Sequence, residues 1–280
     1  TMQIPYGPEP TSHGELLLPD GPGPFPVAML IHGGCWLAGL GAMEDYRPMA
    51  QLLRQGGIAS WNIEYRRVGH DGGGWPGTFL DLGKALNHLD ILSRDHPLDI
   101  SRTVALGHSS GGHFAAWLAI RDQLPASSDI KGDAKVSLAG AVLADAFIDP
   151  KVMDSKGLDG ALYCGEPVLA RLLGAEAEAA PERLREISPL KWLPWGIPQH
   201  YVISSRRYPV TPGRLLADGR TTMAMPDYPA LARSAGDDCE VSVIEGAGHF
   251  DFVEAPASDA FTASHQAVLQ MVERIREGSG

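Results

Sequence analysis

The sequence predicts an α/β fold in which helices cover both faces of a mostly parallel sheet. Apolar runs alternate along the chain with segments of helical periodicity, a pattern typical of parallel strands joined by helices. In addition, three glycine-containing motifs each follow an apolar run. Because parallel strands end at the same edge of such a sheet, these motifs are expected to meet there.

Hydrophobic periodicity locates the individual elements. In the segment 78–94, Phe79, Leu82, Leu86 and Leu89 recur at helical spacing and define one buried stripe. Strands are expected over 15–18, 26–32, 58–65, 103–107, 138–145, 200–204 and 240–245. Helices are expected over 44–55, 78–94, 110–122, 166–173, 228–235 and 258–276.

Length and composition describe an ordinary globular chain. Its 280 residues fit one domain over 1–280, with 44% hydrophobic and 20% charged residues. The net charge of −11 argues against nucleic acid as a partner, because that surface needs clustered Lys and Arg. No apolar run approaches the roughly 18 residues that span a membrane, and residues 1–30 lack a signal-peptide pattern. We therefore expect a cytoplasmic protein with no membrane partner.

The cysteines predict a reducing compartment. Cys35, Cys164 and Cys239 are odd in number and widely spaced, without a Cys-x-x-Cys pair. Their pattern gives no disulfide framework, so free thiols are expected.

Ser109 lies at the centre of Gly-x-Ser-x-Gly, between an apolar run and a helical pattern. Strand, tight turn and helix form the context of a nucleophile elbow, in which the flanking glycines permit the sharp turn. A serine nucleophile needs a base, and His249 follows an apolar run near the C-terminus, after the nucleophile in chain order. A third motif begins at His32 and ends at Trp36, again after an apolar run.

With these three motifs the chain resembles the α/β-hydrolase superfamily, and in particular its small carboxylesterases and kynurenine-formamidase-like enzymes with a His-Gly-Gly-x-Trp loop. The resemblance implies a three-layer α/β-hydrolase fold with a short cap or pocket wall over 150–198, a segment rich in Trp and Pro. It also implies an oxyanion hole formed by the backbone N–H groups of Gly34, Cys35 and Ser110.

The acid that orients His249 is the main departure from these relatives. Arg207 occupies the position at which they carry an aspartate, and an arginine cannot accept a hydrogen bond from imidazole. Asp145, at the end of the strand over 138–145, is our first candidate, and Asp218, in an apparent insertion over 213–225, is the second. An enzyme without any acid is the third possibility.

The remaining side chains predict a pocket without a cofactor. Trp36, Trp75 and Phe250 are candidates for an aromatic lining, and Arg206 with Arg207 for binding an anionic group. The sequence contains no His-Glu-x-x-His motif or Cys/His metal set, so neither a metal nor another cofactor is expected.

The function predicted from these residues is a serine hydrolase of the carboxylesterase or arylformamidase type. It would cleave a small carboxylic ester or amide through an acyl-enzyme on Ser109. The altered acid region leaves an alternative open, in which the fold serves an acyltransferase, lyase or cyclase. A non-enzymatic binding protein on the same scaffold is less compatible with an intact serine, histidine and oxyanion loop. The partner is a small-molecule substrate, and a homodimer is left open.

Overall fold

One sheet forms the centre of the molecule in the computed structural model, which describes residues 2–150, 163–205 and 227–278. Its strands are β1 (Met2–Pro5), β2 (His13–Leu17), β3 (Phe25–Ile31), β4 (Ala59–Ile63), β5 (Leu98–His108), β6 (Gly140–Ala144), β7 (Gln199–Ser204) and β8 (Cys239–Ile244). They are ordered β1-β2-β4-β3-β5-β6-β7-β8. Strands β3 to β8 are parallel, and β1 and β2 complete one edge in antiparallel pairing.

Helices lie on both faces of this sheet, as the sequence predicts. They are α1 (Arg47–Gln55), α2 (Gly77–Asp95), α3 (Ser110–Ile120), α4 (Val168–Leu173), α5 (Pro181–Glu186), α6 (Tyr228–Ser234) and α7 (Asp259–Gly278). One core layer contains the buried residues of α1 and α7, and the other contains those of α2 and α3. Strand β3 is buried along its whole length because both of its faces are covered.

Among the strands and α-helices of the described residues, β1 and α5 escaped the sequence prediction, and both are short. Strand β1 has only four residues and ends in a proline, so it is at the lower limit of a recognisable strand pattern. Helix α5 has six residues, none of them buried, and therefore carries no apolar stripe. The other predicted strands and helices are present, with ends that differ by a few residues.

The described part of the predicted cap packs against the body of the domain. Val168 and Leu172 on α4, together with Ile187 and Trp195, belong to the core layer that also contains Phe114 of α3. The part of the cap over 151–162 lies outside the described residues.

A buried histidine ties this segment to the first glycine-rich loop. The indole Nε1–H of Trp36 donates to Nδ1 of His113 at 3.0 Å, and Nε2–H of His113 donates to the Ile187 carbonyl at 2.6 Å. This arrangement requires the neutral imidazole with its proton on Nε2. Burial lowers the pKa of His113 from 6.5 to about 4, although the bond to Ile187 raises it in part.

A disulfide joins the same two parts of the chain and corrects the expectation of free thiols. The sulfur atoms of Cys35 and Cys164 lie 2.02 Å apart, whereas Cys239 is free and buried. The pairing could not be deduced from spacing, because 129 positions separate the two cysteines. Disulfides are ordinary in oxidising compartments, so the cysteines no longer support the expectation of a reducing compartment.

None of the helices in the described ranges is both long and apolar enough to cross a membrane.

We predict that the disulfide makes a large contribution to the free energy of unfolding. A bond that closes a chain segment of this length restricts the unfolded ensemble by up to about 5 kcal/mol in the chain-entropy description. Cys164→Ser should therefore unfold at a lower urea concentration than the wild type, and should no longer respond to a dithiol reductant. Thiol titration of the urea-unfolded wild type should detect one free thiol, that of Cys239. Detection of three thiols would contradict the bond.

We also predict that His113 makes the fold sensitive to mild acid. Its pKa is lowered in the folded state, so the unfolded chain takes up a proton first as the pH falls. The stability contributed by neutral His113 is complete above pH 6.5 and decreases as the pH falls towards about 4. Between about pH 7 and about pH 5, the wild type should lose roughly 2 kcal/mol more than His113→Gln in urea unfolding. Equal losses in the two proteins would refute this assignment.

Candidate active site

Ser109 occupies the sharp turn between β5 and α3. Its backbone has φ 55° and ψ −120°, a region that residues with a side chain rarely adopt. The turn depends on Gly107, because a Cβ there would lie 2.1 Å from the carbonyl oxygen of Gly111. The strained backbone holds the serine at the end of the strand, where its side chain lines a cavity.

His249 lies beside this serine. It begins a short 3₁₀ turn after β8, and its Nε2 is 3.0 Å from Ser109 Oγ. The carbonyl of His249 accepts a hydrogen bond from His108 Nε2 at 2.8 Å, and the two imidazole rings are 4.6 Å apart. His108 therefore helps to hold the turn that carries His249.

The carboxylate of Asp145 completes a continuous chain of hydrogen bonds. It follows β6 and is fully buried, with Oδ2 at 2.5 Å from His249 Nδ1. Its other oxygen accepts from the backbone N–H and the hydroxyl of Ser204, at 3.0 and 3.1 Å. These donors suit an ionised carboxylate, and they fix its direction towards the imidazole. The rival acid Asp218 lies outside the described residues.

The loop after β3 faces the serine from the other side. Its backbone runs through positive φ at Gly34 (120°), Cys35 (54°) and Trp36 (61°), and it lines the same cavity through Gly33, Gly34 and Cys35. The first N–H groups of a helix have no intrahelical acceptor, and Ser110 is the first residue of α3. The loop therefore lines the cavity at Ser109, and α3 begins directly after that serine.

The cavity above Ser109 has a volume of about 490 Å³ and is largely apolar. Phe147 and Phe250 contribute aromatic surface and contact the ring of His249 edge-on, and Phe250 is 59% exposed at the mouth. The described residues that line it are Gly33, Gly34, Cys35, Leu40, Gly41, Asp45, His108, Ser109, Phe147, Cys164, His249, Phe250, Val253 and Glu254.

Two of the three predicted aromatic contacts need correction. Trp36 is buried behind the loop against His113 and Phe147, and Trp75 packs on Phe79 under the guanidinium of Arg183. Neither belongs to the described cavity lining, whereas Phe250 does. An aromatic residue next to a motif gives no information on which way its ring points.

Phe147 was missed, although it follows Asp145 by two positions and lies at the same sheet edge as the other motifs. That proximity was the signal available in the sequence. Arg206 and Arg207, predicted to bind an anionic group, lie outside the described residues. Among the residues that the structure describes, no group of His, Cys, Asp and Glu side chains is arranged to hold a metal ion.

Comparison with known proteins agrees with this architecture. The BD-FAE family matches residues 15–212, more than half of the chain. Esterase LipC of Mycobacterium tuberculosis is 26% identical over 263 residues, which cover 90% of this chain. The chain spans 60% of the length of LipC.

Solved structures share the fold at low sequence identity. A thermophilic esterase of Thermogutta terrifontis with bound propionate is 17% identical, with a TM-score of 0.69 over 100% of this chain and 94% of its own. A truncated carbohydrate esterase from gut microbiota is 16% identical, with a TM-score of 0.72 over 97% and 95%.

An acetyl ester-xyloside bifunctional hydrolase of Caldicellulosiruptor lactoaceticus is 17% identical, with a TM-score of 0.70 over 98% and 96% of the two chains. These likenesses confirm the predicted α/β-hydrolase fold. The family match shows that the chain belongs to the BD-FAE family of the α/β-hydrolase superfamily.

Proposed function

We propose that this protein is a serine esterase that hydrolyses small carboxylic esters through an acyl-enzyme on Ser109. The observation that carries the proposal is the hydrogen-bonded series from Asp145 through His249 to Ser109, at the floor of an open cavity. The esterase names of LipC and of the solved structures support the same reaction class.

In the first step, Ser109 Oγ attacks the carbonyl carbon of the ester while His249 Nε2 accepts the hydroxyl proton. The negative charge that forms on the carbonyl oxygen is stabilised by the N–H groups of Gly34, Cys35 and Ser110. The imidazolium then gives its proton to the leaving alkoxide as the carbon–oxygen bond breaks. In the second half of the reaction, His249 takes a proton from a water molecule, which attacks the acyl carbon. The bond from that carbon to Ser109 Oγ then breaks, His249 returns the proton to Oγ, and the carboxylic acid is released.

Asp145 keeps the proton of neutral His249 on Nδ1, so that Nε2 is free to act as base, and it stabilises the imidazolium once formed. The alternative function as an acyltransferase, lyase or cyclase rests on the absence of an aspartate at position 207. Because Asp145 lies within hydrogen-bond distance of His249, it can take the place of that aspartate, and the argument for the alternative is weaker. His249 is 28% exposed in its side chain, which gives water access to the base for the second half of the reaction.

The described segment over 163–198 acts in this proposal as a pocket wall within one domain, since Cys164 lines the cavity beside Cys35. The cavity is largely apolar and is lined in part by Phe147, which suits a short uncharged acyl group. The arylformamidase reaction, a cytoplasmic location and a homodimer stay predictions from the sequence. A panel of alkyl and aryl esters, formamides and lactones tests the substrate class.

The first prediction concerns the nucleophile. Ser109→Ala should lower kcat for a short aryl ester by about 10³-fold or more while the protein stays folded, because only binding and the oxyanion donors remain. A fluorophosphonate should add its mass to the peptide that contains Ser109. The matched control Ser93→Ala, on α2, should keep activity within about twofold. A Ser109→Ala protein with more than a tenth of normal activity would exclude the acyl-enzyme.

The second prediction concerns the acid. Asp145→Asn keeps the side-chain shape but favours the wrong imidazole tautomer, so kcat should fall by about 10²- to 10⁴-fold. Asp218→Asn should cost less than about tenfold under the same assay. The opposite ranking would transfer the role to Asp218, and unchanged kcat in both variants would indicate a Ser–His pair acting without an acid.

A further inference from the structure

His32, behind the loop that follows β3, lies between two hydrogen-bond acceptors. Its Nδ1 is 2.7 Å from the carbonyl oxygen of Gly33, and its Nε2 is 3.1 Å from Oε1 of Glu64. The side chain is completely buried, so water does not separate the ring from either partner. A neutral imidazole has only one N–H and can therefore satisfy one of these acceptors but not both.

Each neutral form of the ring leaves two lone pairs in contact. With the proton on Nε2, the lone pair of Nδ1 would face the Gly33 carbonyl at 2.7 Å. With the proton on Nδ1, the lone pair of Nε2 would face the Glu64 carboxylate at 3.1 Å. If Glu64 were protonated, it could donate to Nε2 of the ring that carries its proton on Nδ1. The ionisation of Glu64 therefore decides whether His32 is neutral or doubly protonated.

The surroundings of Glu64 keep it ionised. Its Oε1 also accepts from the backbone N–H of Tyr65 at 2.9 Å and from Nη2 of Arg67 at 3.1 Å. Burial by itself raises the pKa of Glu64, but the hydrogen bond to His32, the charges of His32 and Arg67, and the bond from the Tyr65 N–H outweigh it and lower the pKa to about 2. With these donors Glu64 is stable as a carboxylate and carries no proton. The proton between Glu64 and His32 is therefore assigned to the His32 ring, as its second one.

The carbonyl that accepts from His32 belongs to the peptide between Gly33 and Gly34. The N–H of that same peptide is the Gly34 donor assigned above to the oxyanion. A hydrogen bond to a carbonyl polarises the peptide and strengthens its N–H as a donor, and the effect grows in a buried, low-dielectric site. A charged donor gives a stronger bond than a neutral one.

We propose that His32 is a positioning residue, held as a buried imidazolium, that strengthens Gly34 N–H as an oxyanion donor through the Gly33 carbonyl. The inference rests on the proposed esterase function for the identity of the oxyanion, whereas the charge state of His32 does not depend on it. In this cluster the positive charges of His32 and Arg67 exceed the single negative charge of Glu64.

A purely structural role is the alternative, since the same cluster also braces the loop. Arg67 Nη1 donates to the carbonyls of Leu40 and Gly41 at 2.8 and 2.6 Å, and Tyr65 OH donates to the His32 carbonyl at 2.7 Å. Those bonds hold the loop without using the His32 ring. Loss of the ring charge should therefore act on the transition state more than on folding or substrate binding.

The charge state is tested directly by NMR on the whole protein labelled with ¹⁵N at histidine. The His32 signals are assigned by their absence from His32→Gln. Near neutral pH, both ring nitrogens of His32 should carry a proton, whereas half-buried His88, whose pKa is lowered by burial, should carry one. A single proton on the His32 ring overturns the proposal whatever the activity of the enzyme.

The kinetic consequence is tested with the same variant. Weakening one oxyanion donor costs less than removing it, so kcat of His32→Gln should fall by about tenfold with little change in KM. A boronic acid that forms a tetrahedral adduct with Ser109 should bind more weakly by a similar factor. His88→Gln is the matched control and should leave both values within about twofold.

Two outcomes separate the proposals. If Ser109→Ala is inactive and His32→Gln has normal kcat and normal boronate affinity, the inference fails while the esterase stands. If Ser109→Ala is active, the esterase mechanism fails, and the NMR result still decides the charge of His32. A variant that mainly raises KM or mainly loses stability would assign His32 a structural role and overturn the proposal.

Discussion

The site depends on the hydrogen bond between a fully buried carboxylate and an imidazole carried by a different strand end. Asp145 sits at the end of β6 with both oxygens engaged, one by His249 and the other by Ser204 at the end of β7. Because a buried charge without partners is costly, this carboxylate fixes where β7 and the turn after β8 must lie relative to β6. The direction of His249, and hence its approach to Ser109, follows from that arrangement.

Much of this could be foreseen from local sequence. The elbow at Ser109 and the loop at Gly34 are short motifs whose glycines are required by the backbone itself, so their positions at strand ends were predictable. The resemblance to α/β-hydrolases placed Arg207 where relatives carry an aspartate, and it left Asp145, Asp218 and the absence of an acid as alternatives. The pairing of Cys35 with Cys164 and the inward direction of Trp36 depend on how distant segments pack, and no local pattern encodes them.

The loop after β3 is held from three directions by different kinds of interaction. A covalent bond runs from Cys35 to Cys164, and an indole hydrogen bond runs from Trp36 to His113 on α3. The third support is the charged cluster around Glu64. Successive residues of this loop have positive φ, a conformation that costs free energy unless the surroundings determine it. The supports offset that cost, which explains how Cys35, a residue with a side chain, is held at positive φ.

The two sides of the oxyanion site obtain their positive potential in different ways. On one side, Ser110 opens α3, so its N–H gains from the aligned peptide dipoles of the helix. On the other side, the Gly34 N–H lies in the loop after β3 and not in the first turn of a helix. There, in our proposal, the imidazolium of His32 takes over the role of the dipole, because it polarises the peptide that ends in Gly34 N–H. A preorganised donor needs a fixed direction and a source of polarisation. On the loop side, Arg67 holds the loop in place and His32 polarises the peptide, and both side chains are bound by Glu64.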